Sequence, residues 1–227
     1  MNMSTTLLSP QLQEGSDGAS IQQQITSMID DLIAQLPNPE QLTDEERRRI
    51  LARYTAVLEG NFIYWMTATY LATHSEEARA ILIDNLMEEV RDSHPVMLRK
   101  FTMEAHAFPS SEDVLAVHDT MTKMRLFLGK LQGVQSLLTM AFFEGLIQKF
   151  MPFLAALAAA RGSAEMEYTD VHGVCDIAHS EGLFRAVSLE NSINPISADA
   201  NLFEGVEILR DVFLSVMQSP ETELVAA

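Results

Sequence analysis

The segment VHGVCDIAHSEG, residues 171–182, carries three polar side chains that repeat with the period of an α-helix. His172, Asp176 and His179 are separated by four and then three positions, which places them within an arc of about 60° on one helix face. An imidazole or carboxylate that faces a protein interior needs a partner, because burying an unpaired polar group is costly. The stripe is therefore a solvated face, a hydrogen-bonded network or part of a metal site.

The composition of the 227-residue chain is typical of a globular helical protein, with 47% hydrophobic and 21% charged residues. Its net charge of -17 repels phosphate backbones, so we expect no nucleic-acid partner. The single cysteine, Cys175, allows neither a disulfide framework nor a zinc site built from cysteines. We interpret Cys175 as a small packing residue.

The N-terminal stretch lacks the basic start and the long apolar run of a signal peptide. We predict a disordered tail over residues 1–18. The most apolar stretch, residues 133–160, contains Glu144 and Lys149, and a bilayer span would not carry such charges at its middle. The sequence therefore predicts no membrane segment and a cytoplasmic location.

Apolar residues recur with helical spacing along nearly the whole chain, and no strand alternation is visible. Thr43, followed by three acidic residues, predicts the start of a long helix that continues through Leu71. Ser75 starts the next helix, which Ser93-His94-Pro95 interrupts. Other helices are predicted at residues 20–36, 132–160 with a bend at Pro152, 167–190 and 198–218. Because the sequence shows no repeat and no internal linker, we predict one all-α domain of seven or eight helices.

Two carboxylates lie within strongly apolar helical segments. Glu144 is central in LLTMAFFEGLIQKF, and burying its charge without a partner would cost several kcal/mol. A salt bridge to Lys149 or to an arginine elsewhere would satisfy it, and so would a metal. Glu59 lies in YTAVLEGNFIYWM, where it is either an acid at a helix edge or a further ligand.

Three histidines lie in helical segments that also contain acidic residues. His94, His172 and His179, with three or four acids from four helices, are the ingredients of a two-metal site, and these ligand types suit iron or manganese in a helical bundle. The four positive charges of two divalent cations would be balanced by Glu59, Glu144, Asp176 and one of Glu88 or Glu89. The Glu-x-x-His pair that is usual in bundle di-iron proteins is absent from this sequence.

These segments together resemble the haem-oxygenase-like di-iron oxidases. The resemblance rests on His172-x3-Asp176-x2-His179, Glu144 upstream, the stretch NLMEEVRDSHPVMLRKF and Glu59 on an early helix, and it covers most of residues 45–190. It implies a single haem-oxygenase-like bundle of about seven helices over residues 19–227. It also implies iron ligands at Glu59, His94, Glu144, His172, Asp176 and His179. Glu89 matches the last acid of the family's Asn-Leu-x-Glu-Glu element and is a further candidate, although the segment from Glu89 to His94 is shorter than in many members.

The resemblance implies an oxidase that holds two Fe(II) ions and uses dioxygen as co-substrate. Its implied partners are a small-molecule amino-acid substrate, an external electron donor and a second copy in a homodimer. The chain looks most like nitrile-forming members, which predicts conversion of a tryptophan, halogenated or not, to an indole-3-carbonitrile. Phe62 and Met140 lie one turn from implied ligands and are candidates for the pocket wall or for simple core packing.

Other functions are compatible with the same residues. On the same metal site, the alternatives are amine N-oxygenation, amino-acid desaturation or cleavage, and fatty-acid decarboxylation. From a different class, the chain could be a metal-free helical interaction module with buried polar networks. Haem binding would leave Glu144 and Asp176 unexplained, and a reaction based on a cysteine nucleophile would have to use Cys175, which lies off the stripe and has no obvious base.

Overall fold

The computed structural model describes residues 17–218, with side chains from residue 21 onward. In that range the chain forms α-helices and no strand, which confirms the predicted all-α class. The nine helices are α1 Asp17–Ala34, α2 Asp44–Leu58, α3 Asn61–Ala72, α4 Glu76–Arg91, α5 His94–Glu104, α6 Ser111–Leu128, α7 Gly133–Ala160, α8 Glu167–Ile193 and α9 Glu204–Met217. The predicted disordered tail lies almost entirely outside the described residues.

The helix predicted to run from Thr43 through Leu71 is two helices, and the prediction of one continuous helix is wrong. Between α2 and α3, Gly60 has a φ of 77°, a left-handed conformation that only glycine adopts without steric cost. The apolar pattern continues across this break, so helical periodicity alone does not reveal it. As a result, Glu59 stands at the end of α2 and not within a helix.

Local signals in the sequence mark most of the other helix ends. The Thr43 hydroxyl accepts a hydrogen bond from the backbone N–H of Glu46 at 3.2 Å, and the Glu46 carboxylate accepts one from the Thr43 N–H at 2.7 Å, which forms a capping box. The predicted interruption after α4 is present, because Ser93 has a φ of 60° and α5 starts at His94. α7 runs through Pro152 as one helix.

The centre of the protein is α7, which contacts α1, α2, α3 and α9 and lies along α8 over most of its length. By length and composition it could cross a membrane, but 67% of its most apolar window is buried inside the protein, which is the pattern of a core helix. α9 approaches closely at Gly205, where a Cβ atom would meet Thr139 Oγ1 at 2.1 Å. No larger residue fits there without a shift of the helices.

The pairing of helices decides which polar residues meet. α4 packs against α8, and α5 follows α4 after the short break and contacts α8 as well. The end of α4 and the start of α5 therefore bring Glu88, Glu89 and His94 to the middle of α8. Because α7 lies beside α8, its Glu144 reaches the same region.

Candidate metal centre

The polar stripe of α8 points into the protein. His172, Asp176 and His179 are all buried, so the solvated-face interpretation of this motif is wrong. Two groups of potential ligand atoms form around the stripe, each with its atoms within 4.8 Å of one another: Glu89, His94 and His172 in one, and Cys175, Asp176 and His179 in the other.

The first group, called here the histidine-paired group, consists of Glu89, His94 and His172. The Nδ1–H of His94 donates to Glu89 Oε1 at 2.7 Å, and His172 Nε2 lies 3.7 Å from the same oxygen. The two imidazole rings meet edge to face, with their centroids 4.6 Å apart. The carboxylate of Glu89 thus has two imidazole partners within the protein.

Asp176 and His179 of the second group also lie close to Glu144 of α7, and these three residues, Glu144, Asp176 and His179, are called here the unpaired group. His179 Nδ1 lies 3.9 Å from Glu144 Oε2 and 3.7 Å from Asp176 Oδ1, which are long distances for hydrogen bonds. Glu144 Oε1, Asp176 Oδ2 and His179 Nδ1 are buried and have no hydrogen-bond partner. Such atoms are rare in a folded protein because each one costs free energy, and together they form a set of unused donor atoms suited to a cation.

A salt bridge to Lys149 does not satisfy Glu144. The Lys149 ammonium pairs with Asp30 of α1 instead, because α1 packs against this face of α7. The ion-pair contact that Glu144 makes is the long one with His179. The sequence-based alternative in which Lys149 neutralises Glu144 is therefore wrong.

Hydrogen bonds on the far side of two imidazoles fix which nitrogen faces the centre. The Nδ1–H of His172 donates to the backbone carbonyl of Tyr168 at 2.8 Å, which leaves Nε2 directed at Glu89. The Nε2–H of His179 donates to Glu88 Oε2 at 2.8 Å, which leaves the buried Nδ1 free. Metal-binding histidines are held in this way, with the second ring nitrogen bound to a carbonyl or a carboxylate.

The two groups differ in their electrostatics. Burial raises the pKa of Glu89, but the contacts with His172 and His94 outweigh this effect and bring the pKa to about 2. Burial raises the pKa of Glu144 well above its usual range, and the nearby carboxylates of Asp176 and Glu89 raise it further. Burial lowers the pKa of His179, but Asp176 and Glu88 reverse this and raise it. Without a cation, the charge of Glu144 is thus strongly disfavoured.

Glu59 is not part of either group. Its carboxylate forms an ion pair with the Arg99 guanidinium of α5, and the left-handed turn at Gly60 holds it at the end of α2. Its role as an iron ligand stays a prediction, and it requires the side chain to leave Arg99.

Cys175 is half-buried and donates its S–H to Asp176 Oδ1 at 3.2 Å. Burial raises the pKa of this thiol, and the carboxylates of Asp176 and Glu144 raise it further. A thiol that stays protonated is a poor nucleophile, which disfavours a reaction based on Cys175. Its sulfur is still one of the potential ligand atoms beside Asp176 and His179.

A pocket opens beside the centre and encloses about 420 Å³, part of which is open to solvent. Phe62 lines it and stacks on Phe143 with a centroid distance of 5.3 Å. Met140, the other candidate for the wall, is fully buried in α7 and is not among the lining residues. The remaining lining residues are Leu58, Gly60, Ile63, Glu89, His94, Pro95, Leu98, Glu144, Ile147, Tyr168, His172 and Asp176.

Sequence reasoning missed the supporting residues of the centre. Tyr168 holds His172 through its carbonyl, and its hydroxyl is hydrogen-bonded to the buried hydroxyl of Tyr54 at 2.7 Å. Of the two acids left open by the sequence, Glu89 is buried between two imidazoles, and Glu88 contacts His179 while its side chain stays 43% exposed. Tyr168 lies four residues before His172 and therefore on the same face of α8. This spacing was the signal in the sequence that could have identified it.

The donor set fits iron, since it combines imidazole nitrogens with carboxylate oxygens in a helical core. A family model described as an iron-containing redox enzyme of the haem-oxygenase type matches residues 49–204. The chain belongs to this family. The match includes every predicted ligand from Glu59 to His179, so the protein is an oxidoreductase on an iron-binding scaffold. No curated protein and no solved structure matches the chain.

Proposed function

We propose that this iron-containing redox enzyme is a non-haem di-iron oxidase that uses dioxygen to oxidise an amino-acid substrate. The observation that carries the proposal is the unpaired group: three buried ligand atoms of Glu144, Asp176 and His179 lack partners. They lie next to a histidine-paired group whose Glu89 already has two imidazole neighbours. Two adjacent sets of donors at one pocket suit two metal ions better than one.

The residues of the chain have distinct roles in this proposal. Glu89, His94 and His172 would hold one iron, and Glu144, Asp176 and His179 the other, with Glu59 as a further ligand. Iron, when bound, supplies the activation of dioxygen and the redox chemistry. Tyr168 and Glu88 orient the imidazoles, while Phe62 and Phe143 provide an apolar wall that limits the access of water.

The finer proposal concerns the substrate. The sequence resembles the nitrile-forming enzyme of aetokthonotoxin biosynthesis, and an aromatic amino acid suits a pocket with stacked phenyl rings beside the centre. We therefore propose that tryptophan, and more so its ring-halogenated forms, is converted to an indole-3-carbonitrile. Halogens add apolar area, whose burial contributes about 25 cal/mol per Å², so the halogenated forms should bind more tightly.

The first test measures iron. Anaerobic loading with Fe(II), followed by elemental analysis, should give up to two iron ions per chain. Mutation of the unpaired group provides the matched control, because Asp176→Asn should lower the iron content and leave the helical circular dichroism unchanged. An iron content near zero in a folded wild-type protein would overturn the proposal and favour a metal-free interaction module.

The second test measures substrate class. The iron(II)-loaded protein is mixed with dioxygen and with tryptophan, halogenated tryptophans, aliphatic amino acids or a medium-chain fatty acid. Dioxygen consumption and the mass of the products are then followed. Tryptophans should accelerate consumption and yield the nitrile. Acceleration by the fatty acid alone would reject the nitrile assignment and leave the di-iron proposal standing.

A further inference from the structure

One ion pair at the pocket lies outside both ligand groups. Glu59 of the α2–α3 turn pairs with Arg99 of α5. Leu58 and Gly60, on either side of Glu59, line the pocket, and so does Leu98, the neighbour of Arg99. The ion pair therefore links two parts of the pocket wall.

The pair does not itself line the pocket but lies beside its lining residues, toward solvent. The Arg99 side chain is 55% exposed and that of Glu59 is 24% exposed, whereas Glu89, Glu144 and Asp176, which line the pocket, are buried. The interior of the pocket is thus acidic, and a cation lies beside its solvent-facing rim. The rim has free space, because a Cβ atom on Gly60 would meet no other atom within 4 Å.

An anionic group can enter such a pocket only if a local cation holds it. The protein carries a net charge of -17, so its general field repels anions. Two nearby cations are engaged away from the pocket, since Arg91 pairs with Asp92, and Lys100 pairs with Glu165 and Glu167. The guanidinium of Arg99 has the planar fork of donors that matches a carboxylate.

We infer that Arg99 binds the carboxylate of the substrate by exchanging its ion pair with Glu59 for one with the substrate. This inference rests on the proposed function, because it concerns the substrate of the same pocket. Arg99 is then the residue that selects amino acids over amines. If iron takes up the carboxylate of Glu59, Arg99 is released, so metal and carboxylate should each strengthen the binding of the other.

The decisive experiment compares acids with the matching amines on the iron(II)-loaded protein without dioxygen. Binding of tryptophan and tryptamine, and of decanoate and decylamine, is measured by equilibrium dialysis. Arg99→Gln should weaken the binding of the acid about tenfold and leave that of the amine within a factor of two. Arg125→Gln is the matched control, because Arg125 donates to Asn61 of the same turn at 2.8 Å. It removes an equal charge and should change neither affinity.

Three results would overturn the inference: equal weakening of acid and amine by Arg99→Gln, no weakening of either, or a wild-type protein that binds neither acid. The iron content of the same samples tests the di-iron proposal separately. Iron bound in full by a protein that fails the acid test would reject the role of Arg99 alone.

A second comparison uses metal-free protein, in which the carboxylate of the substrate cannot bind iron directly. In metal-free protein, Glu59→Gln should tighten the binding of tryptophan several-fold, because Arg99 loses its competitor. The double variant Glu59→Gln/Arg99→Gln should lose this gain. A gain that persists in the double variant would show that Arg99 is not the acceptor.

Discussion

The histidine-paired group and the unpaired group lie side by side, but their buried carboxylates are compensated in different ways. Glu89 is surrounded by two imidazoles, and its pKa of about 2 shows that its charge is well compensated. Glu144 is as deeply buried, but its neighbours include Asp176 and Glu89, and its pKa lies well above the usual range. The charge of Glu89 is compensated within the histidine-paired group, whereas the charge of Glu144 in the unpaired group needs a proton or a cation to compensate it.

This difference indicates how the metal-free protein stays folded. Several buried carboxylates in one small region would repel each other if all were ionised. The histidine-paired group keeps its charge balanced through hydrogen bonds, whereas in the unpaired group the raised pKa of Glu144 favours the neutral carboxyl group. A cation that binds Glu144 therefore displaces a proton.

The largest effect should come from Glu144→Ala. If Glu144 is a ligand, the variant loses turnover and part of its iron, while the metal-free fold is as stable as the wild type or more stable, because a buried carboxyl group without a good partner is removed. Elemental analysis and thermal melts of the metal-free and loaded proteins measure both properties. Marked destabilisation together with full iron binding would contradict the ligand role and the contrast between the groups.

Glu89→Gln should have a smaller effect, and unlike Glu144→Ala it should lower the stability of the metal-free protein. The amide cannot compensate two imidazoles, so His94 and His172 lose a buried charged acceptor, and the metal-free protein should lose about 1–3 kcal/mol of stability. Urea unfolding of metal-free Glu89→Gln and Glu144→Gln, measured side by side, makes the comparison. Equal destabilisation by both variants would mean that the two groups are alike.

A third prediction concerns the pH dependence of stability in the metal-free protein. The folded-state pKa of Glu144 is raised, so the stability that its proton provides is complete below the ordinary carboxyl pKa and is lost as the pH rises toward the folded-state value. His172 and His179, whose pKa values are also raised, act in the same direction above their ordinary pKa. Stability should therefore fall between about pH 5 and pH 8, by no more than about 1.4 kcal/mol per pH unit for each proton.

The same two variants separate the contributions. Glu144→Gln should reduce the slope of stability against pH over this range. Glu89→Gln removes no titration of its own over this range, since a carboxylate with a pKa of about 2 is ionised throughout it. It should still reduce the slope, because the contact with Glu89 is one cause of the raised pKa of His172. A slope that is equal in wild type and Glu144→Gln would show that Glu144 is already ionised in the metal-free fold.

The helices and the polar stripe were predictable because they depend on neighbours in the sequence. The capping box at Thr43 and the stop at Ser93 act within a few residues, and so does the spacing of His172, Asp176 and His179. The prediction of an all-α domain rested on such local signals. The break at Gly60 was missed because the apolar pattern runs through it, and only the backbone conformation reveals it.

The sequence by itself determined that α8 carries three polar side chains on one face and that Glu144 is an acid among apolar neighbours, since a helix fixes side-chain direction over three or four residues. Only the tertiary structure decided the partners: Glu89 with His94 and His172, Glu88 with His179, Lys149 with Asp30 and Glu59 with Arg99. Adjacent residues such as Glu88 and Glu89 differ by about 100° in direction around a helix. Which of them meets which imidazole depends on the way α4 packs against α8, and no local pattern contains that information.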